Sequence, residues 1–279
     1  MISIAAAALT DTGYLREENE DCVWSQIFTS PNRPPIGLFV VCDGMGGHMG
    51  GKYASYWAVE AIKSEFADLF IAKDPRATLI LSDEDIEKVR RGELLVPKLD
   101  QPPDIEQRIR AAIQKANHVV YEYAAHKPDH AANAGTTITM MVIYGERAFI
   151  ANIGDSRTYL IRAGELTQLT RDHSLVASLV AEGHILPNEI YTHPQRNVIY
   201  RFLGQKGLVQ PDLFFEEIRS GDAFLLCSDG LWEMVRKKQV VIDIIGRQLP
   251  LIEICRDLVE AANIAGGEDN ISVIVVQAT

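Results

Sequence analysis

The chain has 279 residues, 47% hydrophobic and 23% charged, the make-up of a globular protein able to bury a sizeable core. A formal net charge of -11 excludes the broad basic footprint that nucleic acid or an anionic membrane surface requires, and no stretch approaches the ~20 apolar residues of a membrane span. Four scattered cysteines (Cys22, Cys42, Cys227, Cys255), with no Cys-x-x-Cys pair and no basic secretory leader, read as reduced thiols in a cytoplasmic protein.

Ile4 to Gly13 read as a first strand and its turn. The charged segment Arg16-Glu17-Glu18-Asn19-Glu20-Asp21 then leads into the strand-like Cys22-Val23-Trp24. It is either a polar hairpin loop or a place where Asp21 meets a metal and Arg16 an anion. The run Leu38-Phe39-Val40-Val41-Cys42 is apolar throughout and stops at Asp43, followed by Gly44, Gly46, Gly47, Gly50 and Gly51. Glycines let other groups approach the backbone closely, so carbonyl oxygens there can join the Asp43 carboxylate around a hard cation. Ala54, Trp57, Ala58, Ala61, Ile62, Phe66 and Leu69 recur at helical spacing and predict a long amphipathic helix. Residues 73–103 are charged and proline-bearing, with one short helix that Ser82 caps and that runs through Ile86 and Val89. They read as an insertion too small for a core of its own, either a docking surface or a plain decoration. A second long helix shows Ile105, Ile109, Ile113, Ala116, Val120 and Tyr123 on one face.

From Gly135 the period is that of strands. Thr136 to Tyr144, Ala148 to Ile153 and Arg157 to Ile161 are predicted to pair in succession, with turns at Gly145-Glu146-Arg147 and Gly154-Asp155-Ser156. Residues 172–201 are polar, hold one helix around Leu175 to Glu182, and read as a mobile cover whose histidines, His173, His184 and His193, lie at the surface. Ala223 to Gly230 repeats the earlier device: apolar strand, Cys227, Asp229, Gly230, helix. After helices over Val240 to Leu249 and Ile252 to Ala262, Asp269 sits just before the strand Ile271 to Val276. Arg236-Lys237-Lys238 reads as a solvated helix end.

Asp21, Asp43, Asp155, Asp229 and Asp269 each abut an apolar strand and can converge at one end of stacked sheets. Unneutralised, such a cluster costs several kcal/mol in repulsion and lost hydration. Oxygen donors without His or Cys select Mg²⁺ or Mn²⁺ over zinc. Two divalent ions balance Asp21, Asp43, Asp229 and Asp269, leaving Asp155 for a third, weaker ion. Two such ions about 3.5 to 4 Å apart bridge one water, acidify it and hold an oxyanion in line for attack, which is the chemistry of phosphoester hydrolysis. Arg16, if it reaches the cleft, supplies a bidentate phosphate clamp. None of the four cysteines is followed by Arg at the sixth position, as a phosphocysteine loop requires.

Arg16-x-x-Asn-Glu-Asp21, Asp43-Gly-Met-Gly-Gly-His48, Gly135-Thr-Thr, Ala151-Asn-Ile-Gly-Asp-Ser-Arg157, Leu169-Thr-Arg-Asp-His-Ser174, Cys227-Ser-Asp-Gly230 and Gly267-Glu-Asp-Asn270, in this order, resemble the bacterial metal-dependent Ser/Thr protein phosphatases of type 2C. The resemblance covers nearly the whole chain. It implies an α+β fold, a four-layer α-β-β-α sandwich of two antiparallel sheets flanked by helices, forming one catalytic domain over residues 1–279 with a flap at about 172–201. It implies that Asp43 bridges two ions, that the Gly44 carbonyl joins one, that Asp229 and Asp269 hold the first and Asp21 supports the second, and that Asp155 with Asp229 serves a third. Arg16 is the implied phosphate ligand. Implied substrates are phosphorylated Ser/Thr proteins made by a cognate Ser/Thr kinase, and the chain is expected to act as a monomer. The alternative is a non-catalytic phosphoprotein-binding module of the same fold, which usually loses ligands that are all present here. Two departures stand out. Met45 occupies the place where eukaryotic relatives carry the proposed His general acid, leaving His48 as the nearest candidate, and residues 73–103 are longer than the bacterial pattern.

Overall fold

The computed structural model describes residues 2–30, 33–46, 50–71, 83–91, 104–126 and 134–279. In chain order the elements are β1 (Ile4–Asp11), β2 (Cys22–Ser30), β3 (Arg33–Cys42), the short β4 (Gly44–Met45), α1 (Gly50–Phe66), α2 (Asp83–Arg90) and α3 (Ile105–His126). There follow β5 (Gly135–Thr136), β6 (Ile138–Tyr144), β7 (Arg147–Ile153), β8 (Arg157–Arg162), β9 (Glu165–Gln168), α4 (Leu175–Ala181), β10 (Asp212–Glu217) and β11 (Ala223–Cys227). The last are α5 (Asp229–Trp232), α6 (Lys238–Ile245), α7 (Leu251–Ile264) and β12 (Ile271–Ala278).

Two five-stranded sheets carry the structure, in the orders β1-β12-β11-β8-β9 and β10-β7-β6-β3-β2, and every pairing within them is antiparallel. Below they are the β12 sheet and the β3 sheet. Side-chain alternation builds three cores from them. Leu38, Val40 and Cys42 of β3 face outward onto Ala58 and Ile62 of α1 and Ile109 and Ile113 of α3. Leu225 and Cys227 of β11, with Val273 and Val275 of β12, face outward onto Val241 and Ile244 of α6 and Ile254 and Leu258 of α7. The intervening residues Phe39, Val41, Phe224, Leu226, Ile274 and Val276 interlock between the sheets. The central strands read as unbroken apolar runs because both of their faces are covered, and full burial of each such side chain contributes about 1.5–3 kcal/mol. The layers are α-β-β-α, as the resemblance implies. All four cysteines are free thiols.

One expectation fails. The pattern of residues 148–153 and 157–161 predicts a hairpin, but β7 pairs with β6 and β10, whereas β8 pairs with β11 and β9 in the other sheet. Gly154-Asp155-Ser156 is therefore a crossing between sheets. A period of two is the same for either destination, so alternation alone does not tell them apart. Gly154 makes the crossing at φ +99°, where a Cβ would lie 2.6 Å from the Thr137 Cβ. The edge strands β9 and β10 are also unmarked by the pattern. Of the insertion at 73–103, the described part is α2 and Arg91; Ser82 lies outside the described residues. Among the described residues no helix is long and apolar enough to cross a membrane.

Candidate active site

Each sheet delivers two acids from one pair of neighbouring strands. In the β3 sheet Cys22 opposes Cys42, so Asp21, just before β2, and Asp43, just after β3, leave the same sheet end side by side. In the β12 sheet Cys227 opposes Val273, and Asp229 and Asp269 flank that end of β11 and β12 in the same way. Arg16 and Asp155 come from two of the crossings between sheets, at 12–21 and 154–156. A cleft of about 530 Å³ opens among them, lined by Arg16, Asp43, Gly44, Asp155, Asp229 and Asp269, with Asn197 and Ile199 contributed by the 172–201 segment. Asp21 sits just behind this lining.

Polar side chains lock the loops together. Ser228 Oγ donates to Asp21 Oδ2 at 2.8 Å and accepts from the Ser272 amide at 3.0 Å, which ties the two sheets at the site. Asn270 Oδ1 accepts from the Glu20 amide at 2.8 Å, while its Nδ2 donates to the Thr12 and Glu18 carbonyls, so the Arg16 loop is laced to the strand that carries Asp269. Arg16 Nη2 donates to Asp269 Oδ2 at 2.6 Å. On the β3 side, Thr137 Oγ1 accepts from the Asp43 amide at 3.1 Å, and Thr136 Oγ1 donates to the Asp43 carbonyl at 2.8 Å. These partners lie within the tripeptides Cys-Ser-Asp, Glu-Asp-Asn and Gly-Thr-Thr of the motif set, but as single residues they carry no signal of what they touch.

The electrostatics are those of a crowded anionic site. Burial, followed by repulsion from Asp229 and Asp21, pushes the Asp43 carboxyl well above the usual carboxylate range. Burial, followed by Asp155 and Asp269, does the same to Asp229. Burial raises Asp21 to about 7 against the opposing hydrogen bonds from Ser272 and Ser228, and raises Asp155 to about 7 with Asp172 adding to it.

Arg16, Asp43, Gly44, Asp155, Asp229 and Asp269 thus meet at one cleft, with Asp21 behind it, as the sequence predicts. His48 lies outside the described residues. The reading of His173 as a surface residue is wrong. Its ring is buried, 3% exposed, because it packs beneath residues 199–201 against the Gly154 crossing. Periodicity does not reveal this, since the segment around it is polar.

A sequence profile described as Protein phosphatase 2C matches residues 27–261. The chain belongs to the protein phosphatase 2C family. It is 35% identical over 268 residues to the serine/threonine phosphatase stp of Listeria welshimeri, covering 96% of this chain and 93% of the relative. The serine/threonine phosphatase of S. agalactiae superposes with a TM-score of 0.78 at 30% identity, over 99% of both chains. The catalytic domain of the phosphatase PstP, in complex with two manganese ions, superposes with a TM-score of 0.75 at 32% identity over the whole of both. The chain is accordingly a protein-serine/threonine phosphatase that requires a divalent metal and acts on phosphoproteins.

The donors here fit such ions. The cleft is walled by carboxylate and backbone oxygen, without His or Cys among its described lining residues. Asp229 Oδ1 is buried with no hydrogen-bond partner in the protein. Among the described residues no three acidic, His or Cys side chains close on one point by themselves, and one oxygen of Asp269 is engaged by Arg16. Donor chemistry and charge make the fit, because like charges left unneutralised repel one another.

Proposed function

We propose that this phosphatase hydrolyses phosphoserine and phosphothreonine esters by direct, in-line attack of water, and that the acids of both sheets divide the metal work as follows. Asp43 would serve both of two ions and the Gly44 carbonyl one of them; Asp229 and Asp269 would hold the first, Asp21 would support the second, and Asp155 with Asp229 would serve a third. Mn²⁺ and Mg²⁺ both suit this set. When bound, two such ions balance the four carboxylates and acidify a neighbouring water. The observation that carries the reading is the meeting, at one cleft, of carboxylates from both sheets with a single guanidinium.

Arg16 binds the phosphate. Its planar fork offers several donors, and one N–H to Asp269 fixes the side chain while the others remain for phosphate oxygens. Asp269 therefore orients the clamp as well as serving an ion. Met45, directly after Gly44, has no proton to give, so the leaving hydroxyl takes its proton from water or from His48. The whole chain, 1–279, acts as one catalytic domain. Residues 73–103 are an insertion in that domain, either a docking surface or a plain decoration, and residues 172–201 a flap that reaches the cleft through Asn197 and Ile199. The phosphatase works as a monomer in the cytoplasm, opposing a cognate Ser/Thr kinase.

The test is turnover of a phosphopeptide and of p-nitrophenyl phosphate with Mn²⁺ and with excess EDTA, in wild type and Arg16→Lys. Metal-dependent turnover is expected, with KM for the phosphopeptide raised roughly tenfold by the loss of the bidentate fork and a smaller change in kcat. An unchanged KM in Arg16→Lys would remove Arg16 from the phosphate.

A further inference from the structure

Asp155 lies in the crossing between the sheets, and its neighbours hold that crossing by its backbone. On one side is His173, at the base of the 172–201 segment. The Gly154 amide donates to His173 Nδ1 at 3.0 Å, and the His173 amide donates back to the Gly154 carbonyl at 2.9 Å. On the other side is Trp232, at the end of α5, the helix that begins with Asp229. Its Nε1 donates to the Asp155 carbonyl at 3.0 Å. Beneath, Thr137 packs against Gly154 closely enough to forbid a side chain there.

The tautomer of His173 follows from its partners. Nδ1 accepts, so the single proton of the neutral ring is on Nε2, which faces Asp212 Oδ2 at 3.4 Å. Arg201 Nη1 lies 3.0 Å from the same nitrogen and is itself engaged with Asp212 Oδ1 at 2.9 Å and the Gln210 carbonyl. Burial, with Arg201 alongside, disfavours a second proton on the ring. The two ring nitrogens therefore serve different partners, since Nδ1 holds the Asp155 crossing and Nε2 faces Asp212 on β10. The His173 carbonyl also accepts from the Tyr200 amide at 3.0 Å, and Ser174 bridges to Ile199, a residue that lines the cleft. The grip on Asp155 and the seat of Ile199 are therefore consecutive residues of one strut. Trp232 is braced in turn, because Arg157 stacks on its ring at 3.5 Å and is paired with Asp172, the residue before His173.

We propose that His173 and Trp232 are positioning residues that set the Asp155 carboxylate for the weaker metal ion, His173 through Nδ1 and Trp232 through Nε1–H. The inference rests on the proposed role of Asp155. Neither side chain is among the described residues that line the cleft. Supporting partners of this kind usually change metal affinity by about 10- to 100-fold when removed.

The experiment is calorimetric titration of the full, metal-stripped chain with Mn²⁺. The variants are His173→Asn, whose side-chain oxygen stands near the place of Nδ1, His173→Gln, whose polar group stands near the place of Nε2, Trp232→Phe and Asp155→Asn. Asp155→Asn should remove the weakest binding event. His173→Gln and Trp232→Phe should each weaken that event by about tenfold, and His173→Asn by no more than about twofold, with the tighter events unchanged in all. Equal effects of His173→Asn and His173→Gln, or a Trp232→Phe protein that binds as wild type, would overturn the proposal. Trp232→Phe keeps the ring that Arg157 covers, so it remains decisive if His173→Gln does not fold. If Asp155→Asn leaves every event in place, the role of Asp155 has failed; if it removes the event and the other variants do not weaken it, the strut has failed.

Discussion

After β3 the chain turns through Asp43-Gly44, and after β11 it turns through Asp229-Gly230. In both corners the glycine is pressed against the loop that carries the second acid of its sheet. A Cβ on Gly44 would lie 2.4 Å from the Glu20 carbonyl oxygen and 2.2 Å from that of Gly51; on Gly230 it would lie 2.0 Å from the Asn270 carbonyl oxygen. The corners differ in what supports the aspartate. The Asp43 backbone is pinned on both sides by Thr136 and Thr137, from the chain that leads into β6. The Asp229 backbone instead opens α5, its carbonyl accepting from the Glu233 amide at 2.8 Å, and its Oδ1 is buried without a partner. A sheet neighbour fixes one acid and a helix start fixes the other, so the site needs both layers intact.

The harshest way to break this comparison is to neutralise each corner. Asp43→Asn and Asp229→Asn should each lower kcat by about a thousandfold or more, since each removes charge on which the ions depend. Both should raise the melting temperature of the EDTA-treated protein by a few degrees, because each removes one of a set of mutually repelling, half-buried carboxylates. A variant that keeps turnover would show that the corners are not equivalent.

Next in size is the glycine pair. Gly44→Ala and Gly230→Ala should each destabilise by about 1–3 kcal/mol or more in urea unfolding, as backbone must move to admit the methyl. Gly44→Ala should be the worse, because its methyl meets backbone from two directions. The reverse order would place the rigid corner in the β12 sheet.

A third test uses pH. Burial lifts Asp21 and Asp155 to about 7, whereas in the unfolded chain both release their protons in the ordinary carboxylate range. Between these limits the folded state binds more protons at these two groups, so their contribution to metal-free stability falls as pH rises from about 4 to about 7. Mn²⁺ should therefore raise the melting temperature more at about pH 7.5 than at about pH 5; an equal rise at both would refute it.

The smallest effect joins the two sheets. Ser228→Ala removes the 2.8 Å bond from the β11 side to Asp21 and should cost about 1 kcal/mol of stability. The measurement is a shift in urea midpoint with an unchanged slope. No shift would mean that the sheets are held at this end by the Asn270 and Arg16–Asp269 contacts without Ser228.

Much of the site is legible because its signals are local. An apolar run that stops at Asp-Gly marks a buried strand delivering an acid, as at Asp43 and Asp229; Asp269 stands just before such a run, and Asp21 and Arg16 belong to a charged segment before a strand. Gly154-Asp155-Ser156 is legible as an acid at a strand end but not as a crossing. The partners Ser228, Asn270 and Thr137 are invisible in their roles, since a lone Ser, Asn or Thr in a polar stretch says nothing about what it will face.

By itself, then, the sequence determined which residues are acids at strand ends, where helices and strands alternate, and that a hard cation is needed to offset the charge. These follow from side-chain period and charge, which depend only on near neighbours in the chain. Only the tertiary structure decided that residues 157–162 belong to the β12 sheet, that acids of the two sheets face one cleft, and that His173 is buried with Nδ1 on the Asp155 crossing. Those are choices among long-range partners of equal local pattern, settled by which packing fills all three cores and leaves the fewest buried polar groups unpaired.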